Sequence, residues 1–274
     1  MRKILALMAA VVLALPLAAQ DDVDLDNEFG GRVSVELDKK LRKGLHVSLE
    51  EEVRLDNNFG AFDRFHTTLG LSYKVHPNVK VGVGYALINP YSSTNAAFKN
   101  ARHRVMVDAS ANCKVGAWTF SLKERVQLTY RTGDMNEYQN PRAAFSLKSR
   151  LKAQYRVSAS LTPYAYVELR NTLNAPVIAA YRDEDGTYVT EDGYETGNAG
   201  WFISGWNGVY VNRLRGSVGV NYKFDKHNTL NLYILADRVM DKVVDANAEG
   251  TKLKSYTRET GFIGQVGVAY TYSL

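Results

Sequence analysis

The stretch Trp118-Thr119-Phe120-Ser121-Leu122-Lys123-Glu124-Arg125-Val126-Gln127-Leu128-Thr129-Tyr130 alternates apolar and polar side chains over most of its length. Residues two apart share one face of a strand, so Trp118, Phe120, Leu122, Val126, Leu128 and Tyr130 form an apolar face opposed by a polar one. The run far exceeds the roughly 5–6 residues of a strand in a soluble sheet and is long enough to cross a bilayer when tilted.

The same period recurs along the chain. Leu45, Val47, Leu49, Val53 and Leu55 alternate with His46, Ser48, Glu50, Glu52 and Arg54; Phe65 to Val75 and Phe145 to Tyr155 repeat the pattern. The alternation predicts strands near 29–41, 45–56, 62–75, 79–88, 101–114, 117–131, 143–156, 161–173, 211–224, 228–240 and 256–273. No segment sustains a helical period. Past the N-terminus no apolar run approaches the ~18 residues of a membrane-spanning helix, so a membrane role requires a closed barrel that satisfies every backbone polar group internally. A soluble sandwich is the competing fold, but its strands are shorter and its polar face less charged.

Link lengths add a second pattern. Short turns at 42–44, 76–78, 114–116, 157–160 and 225–227 alternate with longer polar links at 57–61, 89–100, 132–142, 174–210 and 241–255. Short periplasmic turns and longer extracellular loops are the pattern of outer-membrane barrels. The Asp185-Gly186 pair in the longest link suggests a hairpin. Aromatic residues fall beside the short turns (Tyr73, Trp118, Phe120, Tyr155, Tyr222, Phe224, Tyr270, Tyr272) and beside the long links (Phe65, Tyr130, Phe145), as two interfacial girdles require. The fold expected is all-β: a transmembrane, antiparallel, up-and-down barrel of about twelve strands, with ten as the fallback because bacterial barrels have even counts. Eleven visible strands are odd, so residues 21–30 are expected to supply a further strand or to thread upward.

The N-terminus explains how such a chain reaches the outer membrane. Arg2 and Lys3, the apolar run Ile4–Leu17 and the small residues Ala18-Ala19 have the order of a secretory signal peptide. Residues 1–20 are assigned to it and residues 21–274 to the barrel. Loss of Arg2 and Lys3 lowers a net charge of +5 by two, too little to argue for a nucleic-acid partner. The single Cys113 rules out an intramolecular disulfide framework. The chain ends with Val266, Val268, Tyr270, Tyr272 and Leu274 on one face, similar to the C-terminal signal read by the barrel assembly machinery, with Leu in place of the usual aromatic.

Several segments resemble a broad family of Gram-negative outer-membrane barrels known as a domain of unknown function. They are Arg150-Leu151-Lys152-Ala153-Gln154-Tyr155-Arg156, Pro163-Tyr164-Ala165-Tyr166-Val167-Glu168, Arg213-Leu214-Arg215-Gly216-Ser217-Val218-Gly219-Val220-Asn221-Tyr222 and Leu230-Asn231-Leu232-Tyr233. The resemblance implies fold and location, and assigns no activity.

The polar face carries the functional expectations. It bears Arg54, Arg64, Lys74, Arg102, Arg104, Lys123, Arg125, Lys148, Arg150, Lys152, Arg156, Arg170, Arg213 and Arg215 against Glu50, Glu52, Asp56, Asp108, Glu168, Asp237 and Glu259. One reading is a small pore or binding barrel for an anionic solute, contacted by Arg64, Arg102, Arg104, Arg125 and Arg150. The other is a narrow barrel filled by paired charges, since buried charges are tolerated when paired. A structural or adhesive barrel acting through its loops, with Trp201, Phe202 and Trp206 as a contact surface, is a further alternative. Lipid or peptide hydrolysis would draw its acid and base from Glu52, His66 and Glu168. His66 is expected near Arg54, and Asp56 near Arg64, but no serine with a suitable neighbourhood stands out. There is no His-Glu-x-x-His, clustered Cys–His set or phosphate loop, so no metal or cofactor is expected. Glu51 and Glu124 interrupt the lipid face at matching places in Ser48–Leu55 and Ser121–Leu128, through an interfacial position, a bulge, or an oligomer contact.

Overall fold

The computed structural model describes residues 22–24, 28–133, 135–136, 138–179, 181–182, 188–189, 202–247 and 253–274. The expected leader and Trp201 lie outside them, as does the side chain of Phe202. Eleven long strands follow one another: β1 Glu28–Arg42, β2 Leu45–Asp56, β3 Ala61–His76, β4 Val79–Ser92, β5 Arg102–Val115, β6 Trp118–Arg131, β7 Ala143–Tyr155, β8 Leu161–Ala179, β9 Phe202–Lys223, β10 Asn228–Ala246 and β11 Leu253–Ser273. Each pairs antiparallel with the next, and β11 pairs with β1 to close a barrel.

The closing pair is parallel, running from Glu28↔Ile263 to Asp38↔Ser273. Each hairpin reverses the chain, so after an odd number of strands the first and last point the same way, and closure must be parallel. The barrel wall is thus eleven strands plus one short extra strand, Asp22–Asp24, which continues the same parallel seam along β11 at Arg258–Thr260. Some links are shorter than expected: β8 runs on to Ala179 and β9 begins at Phe202, while β10 and β11 extend to Ala246 and from Leu253. Register shifts after Arg170, Thr172, Ala175 and Val177 let β8 pass Pro176 while remaining paired with β9. Tyr181–Arg182 pair with Tyr188–Val189 on either side of Asp185-Gly186.

Burial is inverted relative to a soluble domain. Val33, Val83, Val107, Val218 and Ile234, all facing outward, are each more than half exposed, at 53–58%. Arg32, Ser34, His66, Glu168, Arg215 and Asp237 are buried, and among the described residues Ala86, Ile88 and Met106 form a small buried apolar cluster. A continuous apolar wall of this kind needs lipid or protein against it. Trp118 lies 6.0 Å from Phe120 and 4.9 Å from Tyr155, and Tyr222 4.9 Å from Phe224, forming an aromatic belt at the short-turn end. Inside, tyrosines lie flat on glycines of the neighbouring strand: Tyr233 opposes Gly267 and Tyr164 opposes Gly219. A Cβ on Gly267 would stand 2.0 Å from Tyr233 Cζ, so the ring uses space only glycine leaves.

At β2–β3 the register differs from expectation. Arg54 stands opposite Arg64 and Glu52 opposite His66, two residues away from the expected His66–Arg54 and Asp56–Arg64 pairings. The cause is local: the turn Asn57–Gly60 holds Asn57, Asn58 and Phe59 at φ 48°, 55° and 66°, and a register shift follows Arg54. Asn58 N–H donates to the Phe29 carbonyl at 2.7 Å, and the Phe59 ring meets Phe29 at 5.5 Å, anchoring this unusual backbone to β1.

Candidate functional site

Ion pairs form a belt across the mid-lumen. Asp237, 1% exposed, takes a bidentate pair from Arg215 at 2.6 and 2.7 Å, with Arg213 3.4 Å away. Glu168 accepts from Arg150 Nε at 2.8 Å and lies 3.8 Å from Arg215. Across the lumen Arg54 pairs with Glu52 at 2.6 Å, and Arg32 donates to Gln265 at 2.6 Å. Asp108 serves both Arg125, at 2.6 and 2.7 Å, and Lys123, at 2.8 Å. Nearer the short turns, Arg150 lies over Tyr166 and Lys152 over Tyr164, 4.3 and 3.9 Å from the ring centroids. This half of the lumen is closely paired.

Toward the long loops the pairing thins out. Among the described residues, a cavity of about 400 Å³ is lined by Arg64, Arg102, Arg104, Arg131, Arg170, Arg213 and Lys242, with Asp241 and Glu259 of opposite sign. Arg104 donates to Thr129 Oγ1 at 2.9 Å, Arg131 to the Pro141 carbonyl at 3.2 Å, and Arg170 to Asn212 Oδ1 at 2.8 Å. Asn212 is the extra residue at the register shift between β8 and β9, which turns its side chain inward, where it also donates to Asp241 at 2.9 Å. Arg64 has Asp63 at 2.6 Å. The cavity is a basic vestibule with neutral hydrogen-bond acceptors holding the guanidinium groups in place.

The expected anion contacts thus divide. Arg64, Arg102 and Arg104 meet in the vestibule, whereas Arg125 and Arg150 sit in the paired belt with Asp108 and Glu168. Arg156 lies past the end of β7, in the turn. Arg131, Asp241 and Lys242 in the vestibule, and Arg32 in the belt, are not among the residues expected from the sequence. Arg131 and Asp241 are in phase with Arg125 and Asp237 and were legible in principle, whereas Asn212 is exposed to the site only through a register shift.

The candidate acid and base residues are also placed. His66 is buried, with Nδ1 3.5 Å from Glu52 Oε1 and no partner on Nε2. Glu168 belongs to the Arg150–Arg215 group. Among the described residues no hydroxyl is bonded to His66, so no nucleophile is paired with the imidazole as hydrolysis by a serine would need. His103 faces outward and bonds Tyr85 Oη at 2.6 Å. Among the described residues no group of His, Cys, Asp and Glu has a metal-holding arrangement.

Glu51 and Glu124 occupy mid-strand, outward positions with no register shift beside them. Glu51 accepts from Thr67 Oγ1 at 2.9 Å and Glu124 from Ser149 Oγ at 2.6 Å, each hydroxyl standing directly opposite on the next strand. A bulge therefore does not account for them.

Comparison with solved structures finds distant matches. A porin, NanC, matches with TM-score 0.39 and 14% identity over 80% of this chain and 85% of that one. The outer-membrane OmpT of Vibrio cholerae matches with TM-score 0.34 and 9% identity over 78% of this chain and 60% of that one. Comparison with curated proteins returns no match. Residues 32–184, more than half of the chain, match the family described as "Protein of unknown function (DUF2490)", and the chain belongs to that family.

Proposed function

We propose that this protein is an outer-membrane barrel that admits or binds a small anionic solute through its basic vestibule. The observation that carries the reading is the charge of the cavity, which among the described residues is seven cationic side chains against two carboxylates. Charge rings of one sign set selectivity in pores, and a low-dielectric wall raises the local concentration of the opposite ion. The outward apolar wall and its aromatic belt support a bilayer location, the leader supports export, and the outward row Val266, Val268, Tyr270 and Tyr272 on β11 supports insertion by the assembly machinery.

The test is a planar bilayer holding the purified mature barrel under a KCl gradient. The expected reversal potential has the sign for chloride preference and shifts toward cation selectivity when Arg102 and Arg104 become Gln. Absence of conductance together with absence of saturable anion binding, or a preference for cations, overturns the proposal.

A further inference from the structure

The strand register indicates what kind of anion the vestibule suits. Arg102 stands directly opposite Arg131, and Arg170 directly opposite both Lys148 and Arg213. Like charges facing each other across antiparallel strands destabilise the pair. In the mid-lumen belt the facing pairs Lys123–Arg150 and Arg125–Lys148 have carboxylates beside them: Asp108 takes Lys123 and Arg125, and Glu168 takes Arg150. In the vestibule no carboxylate of the described residues lies within ion-pair distance of Arg102, Arg104, Arg131 or Arg170, whose recorded partners are a hydroxyl, a carbonyl and an amide. Arg213, on the same cavity, keeps a buried Nε without a partner.

These cations form two rungs. Arg102 and Arg131 make the outer one and also line a neighbouring hollow of about 460 Å³ with Ser92, Asn100 and Thr132. Arg104 lies two residues further in along β5, about 7 Å at the usual strand rise, with Arg170 and Arg213 lining the same cavity. The guanidinium fork matches phosphate and carboxylate oxygens. A monovalent anion reaches one rung and leaves the other repelling.

We propose that the vestibule is a two-rung clamp for a multivalent oxyanion, a ligand carrying at least two phosphate or carboxylate groups a few ångströms apart. Arg102 and Arg131 hold the outer group, and Arg104, with Arg170 and Arg213, holds the inner. This rests on the anion reading above. Binding supplies the counter-charge the wall lacks, so it stabilises the folded barrel as well as occupying the cavity.

The experiment compares tripolyphosphate and citrate with acetate at matched ionic strength, on the refolded barrel, reading the thermal unfolding midpoint and the block of bilayer current. The multivalent probes are expected to raise the midpoint and block current at concentrations at least about tenfold below acetate. Arg102→Gln with Arg131→Gln, and separately Arg104→Gln, should each weaken that effect about tenfold. The first change relieves the Arg102–Arg131 like-charge contact, and in the second the new glutamine can still reach the Thr129 hydroxyl opposite, so both should fold; Lys152→Gln, outside the cavity, should leave the effect intact. A response to tripolyphosphate but not citrate confines the ligand to phosphates within the same proposal. Equal potency of acetate, or an unchanged response in both rung variants, overturns the clamp. Chloride preference without a multivalent preference removes the clamp alone, whereas multivalent stabilisation with no chloride preference removes the pore and keeps the clamp.

Discussion

Replacing Asp237 by Asn should cost this barrel about 3 kcal/mol, near the lower end of the roughly 3–5 kcal/mol seen when one partner of a buried ion pair is removed. Asp237 is 1% exposed and holds Arg215 bidentately while lying 3.4 Å from Arg213. Asparagine keeps the shape and one acceptor but strips the charge from beneath two guanidinium groups. Arg215 retains Glu168 at 3.8 Å, which holds the loss at the lower end, whereas Arg213 has no second recorded carboxylate. A loss of that size lowers the folded-to-unfolded ratio by roughly two orders of magnitude. Urea titration of the barrel in lipid vesicles, followed by tryptophan fluorescence and by the heat-dependent shift on a gel, measures it. Asp237→Leu combined with Arg215→Met exchanges the pair for apolar volume and should recover most of the stability, because burying paired charges gives little net gain over packed hydrophobes. An unchanged midpoint in Asp237→Asn, or a double variant weaker than the single one, would refute the claim that this belt is a desolvated and mutually dependent unit.

Three further outcomes follow from particular contacts. Glu51→Leu with Glu124→Leu should raise stability in vesicles by about 1 kcal/mol or more, since a carboxylate at mid-depth on a lipid face is unfavourable and Thr67 and Ser149 offset only part of that cost; a slower native-gel species lost in the variant would place a protein contact on that face instead. Gly267→Ala should cost about 1–3 kcal/mol because the new Cβ meets the Tyr233 ring, and combining it with Tyr233→Ala should leave little additional penalty beyond that of Tyr233→Ala alone, read by the same urea titration. At the short turn after β9, Asp225 is held below its ordinary value of 3.8 by the Asn228 side-chain amide and by the His227 and Asn228 backbone N–H groups. A depressed carboxyl stabilises the turn above the ordinary value and loses that contribution as pH falls through the lowered one. The His227 and Asn228 amide shifts should therefore titrate with a midpoint below 3.8, and a midpoint at or above it would contradict the turn geometry.

Much of the fold was legible because a barrel wall is periodic in a way that survives ignorance of register. The apolar residues of Trp118–Tyr130 face outward whatever strand lies beside them, and short links such as Arg42-Lys43-Gly44 locate hairpins without reference to the rest of the chain. The odd count carried more information than its mismatch with even-stranded barrels suggested. Ten reversals leave β1 and β11 running the same way, so parallel closure was implicit in the strands themselves, and Asp22–Asp24 extends that seam. What could not be read was where a strand gains or loses a residue. The left-handed turn at Asn57–Phe59 and the shift after Arg54 moved His66 onto Glu52, and the shift after Arg170 turned Asn212 into the lumen.

The same limit explains why the vestibule was half visible. Counting inward charges shows that bases exceed acids, but composition does not say which bases are left over. That depends on which carboxylate stands opposite which guanidinium, and so on register summed around the whole wall. Asp108 lies opposite Arg125 and Glu168 opposite Arg150, so two of the expected anion contacts are neutralised where they stand. Arg102 lies opposite Arg131 and Arg170 opposite Arg213, so the surplus accumulates near the long loops. A shift of two residues along β5 against β6 would place Asp108 opposite Gln127 or Lys123 and alter which guanidinium it neutralises. The site is therefore a property of pairing rather than of any motif, and the charge left unpaired after the strands have closed is the feature on which a ligand can act.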